Sequence, residues 1–360
     1  MIELDGATLE GGGQLLRTAV VLSAITKKPC HIFNIRKGRS KPGLMPQHLS
    51  GVQALAQLCN GKLEGDYLGS EEIKFYPGKI DSNPSSVTVK IGTAGSITLV
   101  LQALILPALF ATAPIKITFD GGATDTFFSP TIDYFRYCFL KILEKFGGTV
   151  EINILKRGYY PEGEAKVEVK VSPSRLKNFN LTERGSLKKI RVISGAAEFL
   201  KDKKVAERQL AGVREVLGKL KLPIEEKIEY YSTQCPGSQI CLIVEFEKTI
   251  IGTDNLGKLG KRAEDIGKEA ALELLNEQKT GACLDKHLAD QILPYMALSS
   301  GKSEITASEI TNHCKTNIWV IEKFISGKFE IRTIPHVARQ NLDSSQGSEL
   351  KNNLISWVPS

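Results

Sequence analysis

Apolar and polar positions fall into blocks along the chain. Three segments open on small or polar residues and run into an apolar helix: EGGGQLLRTAVVLSAI from Glu10, GTAGSITLVLQALILPAL from Gly92 and HLADQILPYMALSS from His287. Each leads to a strand-like stretch, HIFNIR, IKITFDGG or SEITASE. A second amphipathic helix, closed by glycine and followed by a strand, also recurs three times, as QHLSGVQALAQLCNGKLEG, TIDYFRYCFLKILEKFGGTVEI and NHCKTNIWVIEKFISGKFEI. The predicted unit is therefore helix, strand, helix, strand.

The glycines that end the second helices are Gly61, Gly148 and Gly327, spaced by 87 and then 179 residues. The second interval is about 90 residues too long for the repeat, which predicts a small domain inserted into the third unit. Its expected span is 183–281, where the basic helix KDKKVAERQLAGVREVLGKLKLP and the strand ICLIVEFE break the pattern; residues 1–182 and 282–360 form the repeated core. Alternating helices and strands predict an α/β fold: a core of repeated helix/strand units with mixed sheets, plus a smaller inserted α/β domain. A hairpin KFYPGKI…SSVTVKI is expected to supply antiparallel strands.

Composition narrows this picture only a little. A net charge of +7 hints weakly at anionic partners, and seven scattered cysteines without a CxxC pair fit reduced thiols in a cytoplasmic protein. The start MIELDGATLEGGG has no basic and apolar leader pattern. The most apolar run, Leu99 to Pro114, contains Gln102 and Pro107, which predicts a core helix and not a membrane span.

Candidate chemistry gathers at helix starts. EGGGQLLR places three glycines before a helix whose first turn carries Gln14 and Arg17, a setting that suits either an anion on backbone amides or a tight turn. Glu10 beside such a loop calls for a cation between carboxylate and phosphate. IRKGRSKPGLMPQHL clusters Arg36, Lys37, Arg39 and Lys41 ahead of Gln47 and His48. Arg36 and Arg39 fit bidentate phosphate contacts, and the same loop also reads as a solvated charged surface. Of the five histidines, His31 in an apolar strand reads as structural and His336 lies in a polar C-terminal segment. His48 and His313 stand at equivalent helix starts of two units, where one cleft would receive both.

These residues carry a resemblance. Through LDGATLEGGGQLLR, RKGRSKPGLMPQHL, IGTAGSITLVLQALILPAL, RGYYPEGEA, HLADQILPYMAL and HCKTNIWVIEKF, the chain resembles RNA 3′-terminal phosphate cyclases over almost its whole length. The resemblance implies a repeated α/β core with a smaller inserted domain. It implies that His313, in HCKTN, is the nucleophile that takes AMP from ATP, and that Glu10 is the carboxylate associated with Mg²⁺ or Mn²⁺. Arg17, Arg36, Arg39, Gln47 and His48 correspond to phosphate or RNA-end residues. Gln102, Asp290 and Gln291 correspond to the nucleotide site, with Pro130 and His287 at the adenine. The chain departs from the family at Pro161, Glu162, Gly163, Glu164 and Ala165, where PxGGG is usual, which puts a hairpin conformation in question.

The implied reaction is ATP-dependent conversion of an RNA 3′-phosphate into a 2′,3′-cyclic phosphate through histidine–AMP and RNA–adenylate intermediates. Neutral imidazole suits the first step, and attack by a tethered 2′-OH suits the last. No strong general base for the 2′-OH stands out, and His48 is the candidate. Two other classes share the architecture: a non-catalytic ribosome-assembly factor of the same superfamily, whose members lack the histidine, and an enolpyruvyl-transferase-like enzyme.

Overall fold

The computed structural model describes residues 1–81, 84–218, 224–336 and 350–360. Its fold is α/β, built from three copies of one topology. The first copy comprises β1 (Ile2–Asp5), α1 (Gly13–Thr26), β2 (Cys30–Phe33), α2 (Pro46–Leu58), β3 (Lys62–Glu64) and β4 (Ile73–Tyr76). The second comprises β5 (Ser86–Ser96), α3 (Ile97–Leu109), β6 (Ile115–Ala123), α4 (Ile132–Tyr134), a π-helical turn Phe135–Phe139, α5 (Leu140–Lys145), β7 (Thr149–Lys156) and β8 (Lys166–Ser172). The third begins with β9 (Asn180–Leu181). Before it resumes, the chain makes β10 (Leu187–Ala197), α6 (Val205–Leu217), β11 (Ile224–Tyr231), β12 (Ser238–Phe246), β13 (Ile250–Leu256) and α7 (Ala263–Lys279). It then completes the copy with α8 (Lys286–Ala297), β14 (Ser303–Ala307), α9 (Asn312–Phe324), β15 (Gly327–His336) and β16 (Leu350–Pro359).

The strand orders β1-β2-β4-β3, β5-β6-β8-β7 and β9-β14-β16-β15 are the same. In each copy the first pair is parallel and the other two are antiparallel. A parallel pair needs a crossover, which α1 and α3 supply. Every helix that follows one of these parallel strands starts at the same, carboxyl-terminal end of its sheet, the end where α/β folds place ligands. The repeat is longer than the four elements predicted, because a leading strand and a closing strand frame each copy.

The predicted hairpin KFYPGKI…SSVTVKI does not form. β4 is already bonded on both edges, to β2 and to β3, so β5 has no edge to join and pairs instead with β6 in the next sheet. The predicted basic helix is also shorter: 201–204 form turns, α6 covers Val205–Leu217, and 219–223 lie outside the described residues, as does the polar segment 337–349 beyond His336.

Helix α3 is buried almost all round, which explains its apolar sequence; Gln102 is its partly open polar side chain. α1 packs on α2, α3 and α9, and α8 packs on α9. In the sheet β11-β10-β12-β13, Ile240, Leu242 and Val244 face α6 and α7, where they share a core with Leu210, Val213, Ile266 and Leu274. The alternate residues Cys241 and Ile243 enter the main core. ICLIVEF is a continuous apolar run because both faces of its strand are covered. At this junction Arg157 is buried between Asp125 (3.0 Å) and Asp133 (2.5 Å), with its guanidinium 4.4 Å from the centre of the Tyr231 ring. All seven cysteines are buried free thiols. Among the described residues no helix is long and apolar enough to cross a membrane.

Candidate active site

The start of α1 is shaped by what leans on it. Gly12 caps the helix with no side-chain hydrogen bond, no acid occupies the first turn, and Gly11 adopts a φ of 62°. A side chain at Gly12 would collide with the Glu10 carboxylate, and one at Gly13 with the His48 ring. These glycines therefore let Glu10 and His48 close over the first turn of the helix.

Glu10 Oε1 pairs with the Arg39 guanidinium, which also donates to the Glu10 carbonyl at 3.3 Å. The second carboxylate oxygen, Oε2, is buried without a partner. The Glu10 amide donates to Thr316 Oγ1 of α9 at 3.4 Å, tying the glycine loop to the helix that carries His313. Arg36 has a φ of 55° and turns its Nη1 back to the carbonyls of Lys41 (2.6 Å) and Gly43 (3.1 Å), so it closes its own loop. Burial and the neighbouring Arg39 lower its pKa.

His48 is buried at the start of α2, and its Nδ1 accepts the Met45 N–H at 3.2 Å. Burial, followed by Arg17 and Arg36, pushes its pKa down to about 3. With one nitrogen engaged and the ring this reluctant to charge, His48 is badly placed to take a proton from a 2′-OH. Gln47 lies against Gly95 at the end of β5, the strand that leads into the helix of Gln102.

Beneath the glycine loop, burial lowers Arg17 to about 10, against the pull of Asp290 and Glu10. Burial lifts Asp290 to about 8; Arg17 opposes this without overcoming it. The Asp290 carbonyl accepts from Asn317 Nδ2 at 2.7 Å, and Asn317 Oδ1 accepts from Thr18 Oγ1 at 2.6 Å, joining α8, α9 and α1. Gln14, Arg17, Gln102, Gln291 and Asn317 line a narrow cavity of ≈ 40 Å³. Gln291 donates to the His287 carbonyl at 2.9 Å, and its Oε1 is buried without a partner.

His313 stands in the first turn of α9, just after Thr311, whose Oγ1 caps the helix by accepting from the Cys314 amide at 3.1 Å. Its Nδ1 is buried without a partner. Burial lowers its pKa; Glu10 opposes, and Arg17, His287 and Arg39 add to the lowering. The structure thus brings Glu10, Arg17, Arg39 and His287 to the same histidine, with Asp290, Gln102 and Gln291 alongside Arg17. His287 is exposed at the start of α8, where Asp285 caps its amide at 3.1 Å.

Pro130 reaches this cluster through a residue the sequence reading missed. Its carbonyl accepts from Thr98 Oγ1 at 2.9 Å, and the next amide, of Thr131, donates to Asp254 Oδ2 at 2.6 Å. Burial lifts Asp254 to about 6, and the nearby His287 opposes the shift. Asp254 lies on β13, inside the 183–281 stretch that was given no chemical role. A carboxylate near the end of IIGTDNL is the signal that could have raised it.

The donor set fits one metal contact and no more. Glu10 Oε2 is an orphaned anionic oxygen, and among the described residues no group of three or more His, Cys, Asp or Glu is arranged to hold a metal ion. That suits Mg²⁺ or Mn²⁺ held largely by water and phosphate oxygens.

Comparison with known proteins places the chain in a family. A family model described as RNA 3′-terminal phosphate cyclase matches residues 8–331. The chain is 45% identical over 332 residues to the RNA 3′-terminal phosphate cyclase of Pyrococcus abyssi (strain GE5 / Orsay), covering 92% of this chain and 95% of the relative. Against that of Pyrococcus furiosus the identity is 45% over 333 residues, covering 92% and 95%. Against that of Ignicoccus hospitalis it is 42% over 332 residues, covering 90% and 93%.

Proposed function

Since the chain belongs to the RNA 3′-terminal phosphate cyclase family, we propose that it uses ATP to convert an RNA 3′-phosphate end into a 2′,3′-cyclic phosphate, with His313 as the carrier of AMP. The observation that carries this reading is the state of His313. Its Nδ1 is buried without a partner, burial together with Arg17 and Arg39 favours the neutral imidazole against the pull of Glu10, and the two arginines attract phosphates to it.

In the first step the imidazole lone pair attacks the α-phosphorus of ATP; a P–N bond forms, the P–O bond to pyrophosphate breaks, and pyrophosphate leaves. In the second, an oxygen of the RNA 3′-phosphate attacks the same phosphorus, the P–N bond breaks and the histidine recovers its lone pair. In the third, the 2′-OH attacks the terminal phosphorus, gives up its proton and expels AMP. That step is intramolecular and needs mainly orientation. Arg17 and Arg39 would balance the gathered negative charge, and Arg36 would hold the loop that presents Arg39. Bound Mg²⁺ or Mn²⁺ would supply further charge neutralisation, and Glu10 is the residue to hold it.

Incubation with α-³²P-ATP tests this directly. Wild-type protein should acquire acid-labile label, and folded His313→Ala and His313→Asn should acquire none. Label retained by folded His313→Ala would eliminate the assignment.

A further inference from the structure

The loop that leads into Pro130, and Tyr160 against it, carry aromatic side chains that the reaction leaves unused. Phe127 and Phe128 are 40% and 102% exposed, and Tyr160 is 58% exposed. The Phe127 and Tyr160 rings meet edge to face, 6.1 Å between centres. Phe128 holds a φ of 63°, a left-handed conformation that a bulky residue rarely adopts. Neither the strain nor the exposure does anything for the core.

The backbone beneath them is pinned on several sides. The amides of Thr124 and Asp125 donate to the Gly158 carbonyl at 3.0 and 3.2 Å, and Ser129 Oγ donates to the Thr126 carbonyl at 2.9 Å. Tyr159, beside Tyr160, packs with Ala197 and Cys235. Two residues beyond Ala197, Phe199 is 61% exposed, and Lys201, Lys203 and Lys204 follow it, exposed and without an ion pair among the described residues. Toward the chemistry the loop continues into Pro130 and Thr131, which Asp254 links to the neighbourhood of His287 and so of His313.

We propose that Phe127, Phe128 and Tyr160 form a stacking platform for the unpaired bases just upstream of the RNA 3′ end. This rests on the RNA-end reading above. Fixed aromatic faces beside a site for phosphates suit single-stranded RNA, whose bases are free to stack, and not a duplex, whose base faces are hidden. Glu198 and Asp202 alternate with the lysines, so the platform works by stacking more than by charge.

The test uses a fluorescently labelled single-stranded RNA of about eight nucleotides ending in a 3′-phosphate, with binding followed by anisotropy and cyclisation assayed in parallel. Phe127→Ala/Phe128→Ala should weaken binding roughly ten-fold or more and raise KM for this RNA by a similar factor. A 3′-phosphorylated mononucleotide and the formation of covalent AMP should be spared, because neither needs upstream bases. Phe128→Tyr, which keeps the ring, should bind like wild type, and the loss should persist when salt is raised. Unchanged RNA binding by the double variant, or an equal loss with the mononucleotide, overturns the platform. Wild type that binds through these rings and fails to cyclise would overturn the RNA-end reading and leave the platform standing.

Discussion

Asp290→Asn asks which force governs the carboxyl beneath the glycine loop. Burial lifts Asp290 from an ordinary 3.8 to about 8, although Arg17 is close. A carboxyl raised in the folded state keeps a proton that the unfolded chain has lost. The stability it contributes is complete below the unfolded pKa and is lost as pH rises toward the folded one. One such proton gives a slope of about 1.4 kcal/mol per pH unit, so between pH 5 and pH 7 the wild type should lose roughly 3 kcal/mol through this group. The amide of Asn cannot titrate, so the difference in stability between variant and wild type should move in favour of the variant by that amount. Urea unfolding of both proteins across this range measures it. Near neutral pH the wild-type carboxyl is mostly uncharged, so the variant should keep most of its uptake of AMP. Stability curves that run parallel within about 0.5 kcal/mol, or a variant inert at pH 7, would mean that Arg17 wins and that the ionised form is the working one.

Glu10→Gln keeps the shape of the side chain and removes the charge on its orphaned oxygen, so the concentration of Mg²⁺ or Mn²⁺ needed for AMP uptake should rise roughly ten-fold; an unchanged metal titration would remove Glu10 from the metal. Arg36→Lys preserves charge while disturbing the closure onto the Lys41 and Gly43 carbonyls, and cyclisation should fall roughly ten-fold, whereas an untouched rate would make the loop mere surface. Glu164 holds a φ of 60°, so Glu164→Gly should raise stability by about 0.5–1 kcal/mol in thermal unfolding; a loss would show that the conformation is not strained.

Much of the architecture was legible because three pairs of helices carry a 3.6-residue period and the second helix of each pair is followed by glycine. Two of the three leading strands were not, since β1 has four residues and β9 two, too few to show alternation. The false hairpin at KFYPGKI has the same origin: local pattern announces a strand, while its partner is settled by which edges remain free. At RGYYPEGEA, Glu164 takes up a left-handed turn next to Gly163, a conformation that glycine adopts freely. In the candidate site, His48 and His313 could be read as helix starts. The Glu10–Arg39 pair and the contact of Asp254 with the Thr131 amide could not, because each joins segments far apart in the chain.

The seven buried thiols also give the protein a built-in set of reporters. Cys30 and Cys59 lie in the first repeat, Cys138 in the second, Cys235 and Cys241 in the 183–281 stretch, and Cys283 and Cys314 beside the helices of the third. An alkylating reagent reaches such a sulfur only when the structure around it opens, so the rate at which each cysteine gains mass is a local opening rate. The unmutated chain, digested and weighed after timed exposure, would therefore reveal whether its repeats loosen together or in sequence, and whether added ATP slows the opening of any of them.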